Sequence, residues 1–98
     1  MRAMLKAWCR KRGYDLVEEY RFHPTRKWQA DWFIPQISIA IEYEGLFSQK
    51  SRHTTITGYS GDTDKYRAMV LQGIRCLRYT AMNYGQVETD LDEMEQKF

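Results

Sequence analysis

The stretch Ile37-Ser38-Ile39-Ala40-Ile41-Glu42-Tyr43-Glu44 is the clearest strand in the chain. Ile37, Ile39, Ile41 and Tyr43 alternate with Ser38, Ala40, Glu42 and Glu44, the period-two pattern of extended backbone. Glu42 and Glu44 therefore project to one face. Gly45 ends the run, and Pro35-Gln36 makes a tight connection back to Trp28–Ile34, which reads as the preceding strand. Leu16–Phe22 reads as a strand before that, joined through His23-Pro24-Thr25-Arg26-Lys27, where proline suits a turn and would spoil a ladder. Three strands with such short connections predict an antiparallel meander.

On either side of the meander the period changes. Met1, Met4, Leu5, Trp8 and Cys9 recur at helical spacing, with Arg10, Lys11 and Arg12 in the last turn and Gly13 as the stop. Residues 46–60 are polar, rich in Ser and Thr, and read as a loop. Asp62–Gln72 carries Tyr66, Met69 and Val70 at helical spacing before Gly73, and Ile74–Tyr79 reads as a fourth strand. A helix between strands three and four is a crossover, which makes those two strands parallel. Thr80 is a candidate cap for a last helix bearing Met82, Val87, Leu91 and Met94. Its acidic C-terminal end opposes the helix dipole, so fraying is expected there.

The 98 residues fit a single domain, 1–98, with 43% hydrophobic and 29% charged residues. No apolar run approaches the roughly 18–20 residues that span a bilayer, and the first residues lack the apolar core of a signal peptide. Cys9 and Cys76 form no CxxC pair, which argues against a disulfide framework or a cysteine zinc site and points to a reducing cytosol. The net charge of +2 hides an asymmetry. Positions 1–80 hold fourteen bases against eight acids, while positions 81–98 hold five acids and one base. A basic body of this kind suits a polyanionic partner such as DNA.

Asp31, Glu42 and Glu44 are the informative side chains. Pairing around the Ile34–Ile37 connection brings Asp31 within reach of Glu42. Acids are depleted in strands, and carboxylates crowded on one sheet face repel each other unless a cation compensates. All-oxygen sites favour Mg²⁺ or Mn²⁺. Arg26, Lys27, Lys50 and Arg52 flank this group on the two most irregular loops and are candidate phosphate contacts, which position DNA without reading its sequence.

Taken together, Glu19-Tyr20-Arg21-Phe22-His23-Pro24, Arg26-Lys27-Trp28-Gln29-Ala30-Asp31 and Ile39-Ala40-Ile41-Glu42-Tyr43-Glu44-Gly45 resemble the PD-(D/E)xK nuclease superfamily. The likeness is to small phage-associated endonucleases related to Holliday-junction resolvases and very-short-patch-repair endonucleases. It continues through Ser51-Arg52-His53-Thr54, Gly58-Tyr59, Asp62, Lys65-Tyr66 and Gly73–Tyr79, covering about residues 14–80. The resemblance implies a mixed α/β (α+β) fold with a restriction-endonuclease-like core, α-β-β-β-α-β, in which helices flank a four-stranded mixed sheet. It implies a metal-dependent endonuclease acting on DNA, branched DNA included, in the cytosol of a bacterium or phage-infected host. By analogy with resolvases it implies a homodimer.

In site terms the resemblance implies that Asp31 and Glu42 hold Mg²⁺ or Mn²⁺ with the main-chain carbonyl of Tyr43 beside them. Glu19 matches an upstream acid that some members use at the metal or its water shell. The chain departs from the superfamily where its lysine should stand, two residues after Glu42, because that residue is Glu44. Glu44 can serve as a further ligand or as a base for the attacking water, but not as a positive group. The positive role falls to His53, which matches a histidine of the short-patch-repair relatives, or to Lys65, on the same helix face as Asp62, or to a second ion. A nuclease fold without the lysine is also compatible with a DNA-binding module that does not cut, or an accessory subunit of a phage or defence assembly.

Overall fold

The computed structural model describes residues 1–45 and 56–97. Its elements are α1 (Arg2–Arg12), β1 (Val17–Arg21), β2 (Gln29–Ile34), β3 (Ile39–Glu44), α2 (Ile56–Leu71) and β4 (Arg75–Thr80), then a 3-10 turn (Tyr84–Gln86) and α3 (Val87–Lys97). The four strands form one sheet in the order β1-β2-β3-β4. The first three run antiparallel and β4 lies parallel to β3. This is the mixed α+β architecture, with the α-β-β-β-α-β order, that the strand and helix periods predict.

Ile39, Ala40 and Ile41 are fully buried because β3 is covered on both faces. Ile39 and Ile41 join Leu5, Trp8 and Cys9 of α1 and Val87 and Leu91 of α3 in one cluster. Ala40 joins Phe22, Ala30, Phe33 and Met69 of α2 in the other. Alternation along β3 thus assigns odd residues to the α1/α3 side and even residues, Glu42 and Glu44 among them, to the α2 side.

Three element starts and one side-chain orientation differ from the sequence reading. β3 begins at Ile39, since Pro35–Ser38 forms the hairpin loop closed by Ile34↔Ile39. There the Ser38 N–H donates to Pro35 O at 3.3 Å and Ser38 takes a left-handed φ of 52°. The alternation at Ile37 is a coincidence of turn composition. α2 begins at Ile56, so the loop expected over 46–60 cannot extend past residue 55, and Asp62 lies inside the helix. Gly58 and Gly61 are poor helix formers, each costing about 1 kcal/mol relative to alanine, and tertiary context overrides them. Val70 faces outward at 71% exposure, leaving Met69 as the buried anchor of that turn. The last helix begins at Val87 because Asn83 Oδ1 accepts the Thr80 N–H at 2.7 Å and folds the chain into a turn first. Met82 is consequently exposed.

The acidic tail is a partner of α1. Arg12 bonds Glu95 through Nε at 2.9 Å and Asp92 through Nη2 at 2.7 Å, with its guanidinium 3.9 Å from the Trp8 ring centroid. The Trp8 indole N–H donates to Asp92 at 2.8 Å and the Tyr14 hydroxyl to Glu95 at 2.9 Å. Arg12 and Asp92–Glu95 were legible only as opposite charge blocks; docking α3 on α1 turns them into ion pairs. The hydrogen bond from Arg12, then that from Tyr14, holds the Glu95 carboxyl below its usual 4.5. A depressed folded-state value stabilises above the unfolded value and is lost as pH falls through the folded one. Glu95→Gln should therefore melt earlier than the native chain at pH 7. The gap in Tm should close as pH drops below 4.5, as read by melting at stepped pH.

β1 and β2 both reverse their inside-outside alternation at one level. Ala30 and Phe33, three residues apart, share the α2-side cluster, while Trp32 and Ile34 pack on the other. The pairs Glu18↔Trp32 and Tyr20↔Ala30 bracket the break, which falls on Glu19 and Asp31, with Glu19 at a left-handed φ of 50°. Residues other than glycine, asparagine and aspartate rarely adopt that conformation. It lets Tyr20 stack on Phe33, centroids 4.3 Å apart. Among the described residues no helix is long and apolar enough to cross a membrane.

Candidate functional site

The ladder between β2 and β3 ends at Trp32↔Ile41, and Asp31 caps that end. Its Oδ2 accepts the main-chain N–H of Tyr43 at 2.9 Å. Beyond the cap opens a cavity of about 850 Å³, walled by Asp31, Glu42 and Glu44 together with Lys27, Trp28 and Lys65. The three acids singled out from the sequence thus border one space. Tyr43 belongs to it through its backbone, since its ring packs edge-on against Tyr84 with centroids 6.2 Å apart.

Glu42 is 3% exposed, and its two carboxylate oxygens face different donors. Lys65 Nζ lies 2.5 Å from Oε2, and the Tyr66 hydroxyl donates to Oε1. The Lys65 side chain is only 15% exposed, so it is no solvated surface base. A buried carboxylate is tolerated only when paired and hydrogen-bonded, and α2 supplies both partners from consecutive residues. Burial, followed by the bond to Glu42, pushes the Tyr66 phenol well above its usual range. Glu44, 8% exposed, is paired with Arg78 of β4. Arg78 also lies over the Tyr66 ring, its Cζ 4.3 Å from the centroid. Cys76, two residues before Arg78, is pushed up to about 12 by burial first and then by the charge of Glu42, which makes it an inert thiol at neutral pH.

Other expected residues stand at varying distances from this group. Glu19 lines a second hollow with Glu18, Asp31, Trp32 and Tyr43 and does not border the first cavity, so Asp31 is the one acid the two share. Lys27 is in the cavity wall, while Arg26 lies over Trp28, 5.0 Å from its ring centroid. His23 shapes that hairpin tip, its Nδ1 accepting the N–H groups of Thr25 at 3.2 Å and Arg26 at 3.0 Å. Lys50, Arg52 and His53 lie outside the described residues.

Among the described residues no three carboxylates, histidines or cysteines converge tightly enough to enclose a metal ion. Two carboxylates on adjacent strands opening into one cavity are a donor set for a different kind of site. Mg²⁺ keeps several waters and is commonly held by one or two carboxylates plus substrate phosphates. Asp31 and Glu42 have the hard-oxygen chemistry for that mode, with both oxygens of Glu42 facing Lys65 and Tyr66 in this structure.

Sequence reasoning missed Tyr66 and Arg78 as members of this group. The spacing of Tyr66 to Met69 reads as part of the apolar face of its helix. Arg78 carried a signal, since β4 alternation places it on the side of Cys76. Its partner depends on the parallel register, which no local pattern contains. The chain matches no protein-family model, no curated protein and no solved structure.

Proposed function

We propose that this chain is a metal-dependent DNA endonuclease that hydrolyses phosphodiester bonds with a site of the PD-(D/E)xK type. The observation that carries the reading is the 2.5 Å contact of Lys65 Nζ with Glu42 Oε2, in a cavity that Asp31 also lines. Two acids from neighbouring strands and one lysine are the superfamily's chemical set, and here the lysine comes from the crossover helix.

Asp31 and Glu42 would hold Mg²⁺ or Mn²⁺, with the carbonyl of Tyr43 beside them, and such an ion polarises a phosphoryl oxygen and lowers the pKa of a bound water. The Tyr43 N–H fixes the rotamer of Asp31, so this carboxylate is oriented before substrate arrives. Lys65 offsets the charge of Glu42 and stands where a cation can face negative charge developing on a phosphate. Glu44 is turned to Arg78, which favours a structural use over a role as base. Lys27, in the cavity wall, and Arg26, over the ring of Trp28, would contact the DNA backbone, and each phosphate contacted adds salt-dependent affinity. Branched DNA, a homodimer and a cytosolic setting belong to the same reading.

A second reading has its own support. Both oxygens of Glu42 already have protein donors, and no three-ligand cluster is formed among the described residues. A nuclease-fold module that binds DNA, or serves a phage or defence assembly, without cutting would look the same. Incubation with linear and branched DNA under Mg²⁺ and Mn²⁺ separates the two. Cleavage products are expected; tight binding with no product under either ion favours the module.

A further inference from the structure

Arg78 stands beside Glu42 in the parallel register of β3 and β4, and adjacent strands are about 4.8 Å apart. A guanidinium at that position can reach either acid of β3, yet it pairs with Glu44. The ring of Tyr66 accounts for the choice. Arg78 Cζ lies 4.3 Å from its centroid, and a planar cation is attracted to an aromatic face. The Tyr66 hydroxyl then donates to Oε1 of Glu42, the oxygen opposite the one that Lys65 holds. One run of contacts therefore leads from Glu44 through Arg78 and Tyr66 to Glu42.

We propose that Arg78 is a positioning residue for Glu42: clamped by Glu44 and lying on the ring of Tyr66, it fixes the phenol that orients the Glu42 carboxylate. The glutamate in the place of the motif lysine is then an anchor for this run. The hydroxyl of a tyrosine sweeps an arc as the ring turns about its first side-chain bond, and a guanidinium laid on one face restricts that arc. Both donors to Glu42 come from α2, but Lys65 reaches its oxygen unaided whereas Tyr66 is braced by Arg78 of β4. The kinetic part of this inference rests on the nuclease reading, whereas the structural part does not.

Two substitutions separate plane, charge and hydroxyl. Arg78→Lys retains a cation for Glu44 but has no plane to lie on the ring, and Tyr66→Phe retains the ring without the hydroxyl. Proton NMR of the native chain should show a downfield, slowly exchanging Tyr66 hydroxyl, absent in Tyr66→Phe. In Arg78→Lys it should broaden or vanish while the amide spectrum keeps its dispersion. In single-turnover cleavage each variant should lose about tenfold in the maximal rate, with the protein concentration that gives half-maximal rate unchanged. The double variant should also lose about tenfold, because residues acting through one another are not additive.

A hydroxyl signal that persists in Arg78→Lys, or is missing from the native spectrum, overturns the proposal, as does a hundredfold loss in the double variant. If Arg78→Lys does not fold, Glu44→Gln asks the same question, since it releases the clamp and should weaken the same signal. If the native chain cuts no DNA, the nuclease reading falls and the NMR arm alone decides the positioning role.

Discussion

Asp31→Ala and Glu42→Ala should each lower metal-dependent DNA hydrolysis at least a thousandfold, equivalent to about 4 kcal/mol of transition-state stabilisation. Single-turnover cleavage of labelled DNA under saturating Mg²⁺ or Mn²⁺ reads this. The two losses have different companions. Asp31 is exposed and gives one hydrogen-bond acceptor to the Tyr43 N–H, so its removal should move the thermal midpoint only slightly. Glu42 is buried between Lys65 and Tyr66, so its truncation also opens space and leaves two donors seeking water. DNA affinity without metal should survive in Asp31→Ala, because the proposed phosphate contacts fall to the basic residues near the cavity and not to Asp31. An Asp31→Ala protein that cuts at the native rate ends the nuclease reading.

Lys65→Ala should destabilise the fold by about 3–5 kcal/mol, more than its own packing accounts for, because it strands a buried carboxylate. The Glu42 side chain is 4% exposed and, among the described residues, would keep the Tyr66 hydroxyl as its donor. Replacing both partners with apolar groups of similar volume, Glu42→Leu with Lys65→Met, should cost much less than Lys65→Ala, because the Tyr66 hydroxyl alone then loses its acceptor. Removing a buried ion pair outright is commonly neutral or stabilising by about 1–4 kcal/mol, since two desolvation costs disappear. Both variants should be inert as nucleases. Denaturant unfolding of the single and double variants measures the contrast. A double variant markedly less stable than Lys65→Ala would mean that the pair is retained for folding, and the argument from its cost to function would be lost.

Much of the sheet is legible residue by residue. The alternation of Ile39 to Glu44 follows from the pleat, and the amphipathic stripe of α1 follows from Leu5, Trp8 and Cys9 lying one turn apart. Gly13 stops α1 in a left-handed conformation at φ 70°, as its lack of a Cβ allows. The element ends are less legible. Ser38 adopts a left-handed φ that its type does not announce, and Ile56 opens a helix through two glycines. In both cases a weak local preference is outvoted by what the segment must reach.

For the site, the same contrast holds among neighbouring residues. Asp31 and Glu42 are recognisable because acids in a strand need a reason, and short connections confine their mutual placement. Glu19 has the same chemistry but lines another hollow, because β1 and β2 change faces at its level. Lys65 is one of several bases in its segment until the crossover lays α2 against β3. Arg78 acquires its partner from the offset of two parallel strands more than thirty residues apart.

Periodicity is a property of consecutive residues, so the sequence by itself determined the order of helices and strands, the antiparallel meander, and which face of β3 carries Glu42 and Glu44. Contact between distant segments is not. The pairing of Lys65 and Tyr66 with the two oxygens of Glu42, the turn of Glu44 toward Arg78, and the capture of the acidic tail by Arg12 were decided only when burial brought those groups together. Buried charge must find a partner wherever the packed chain offers one, and that location is not written in the spacing of neighbouring residues.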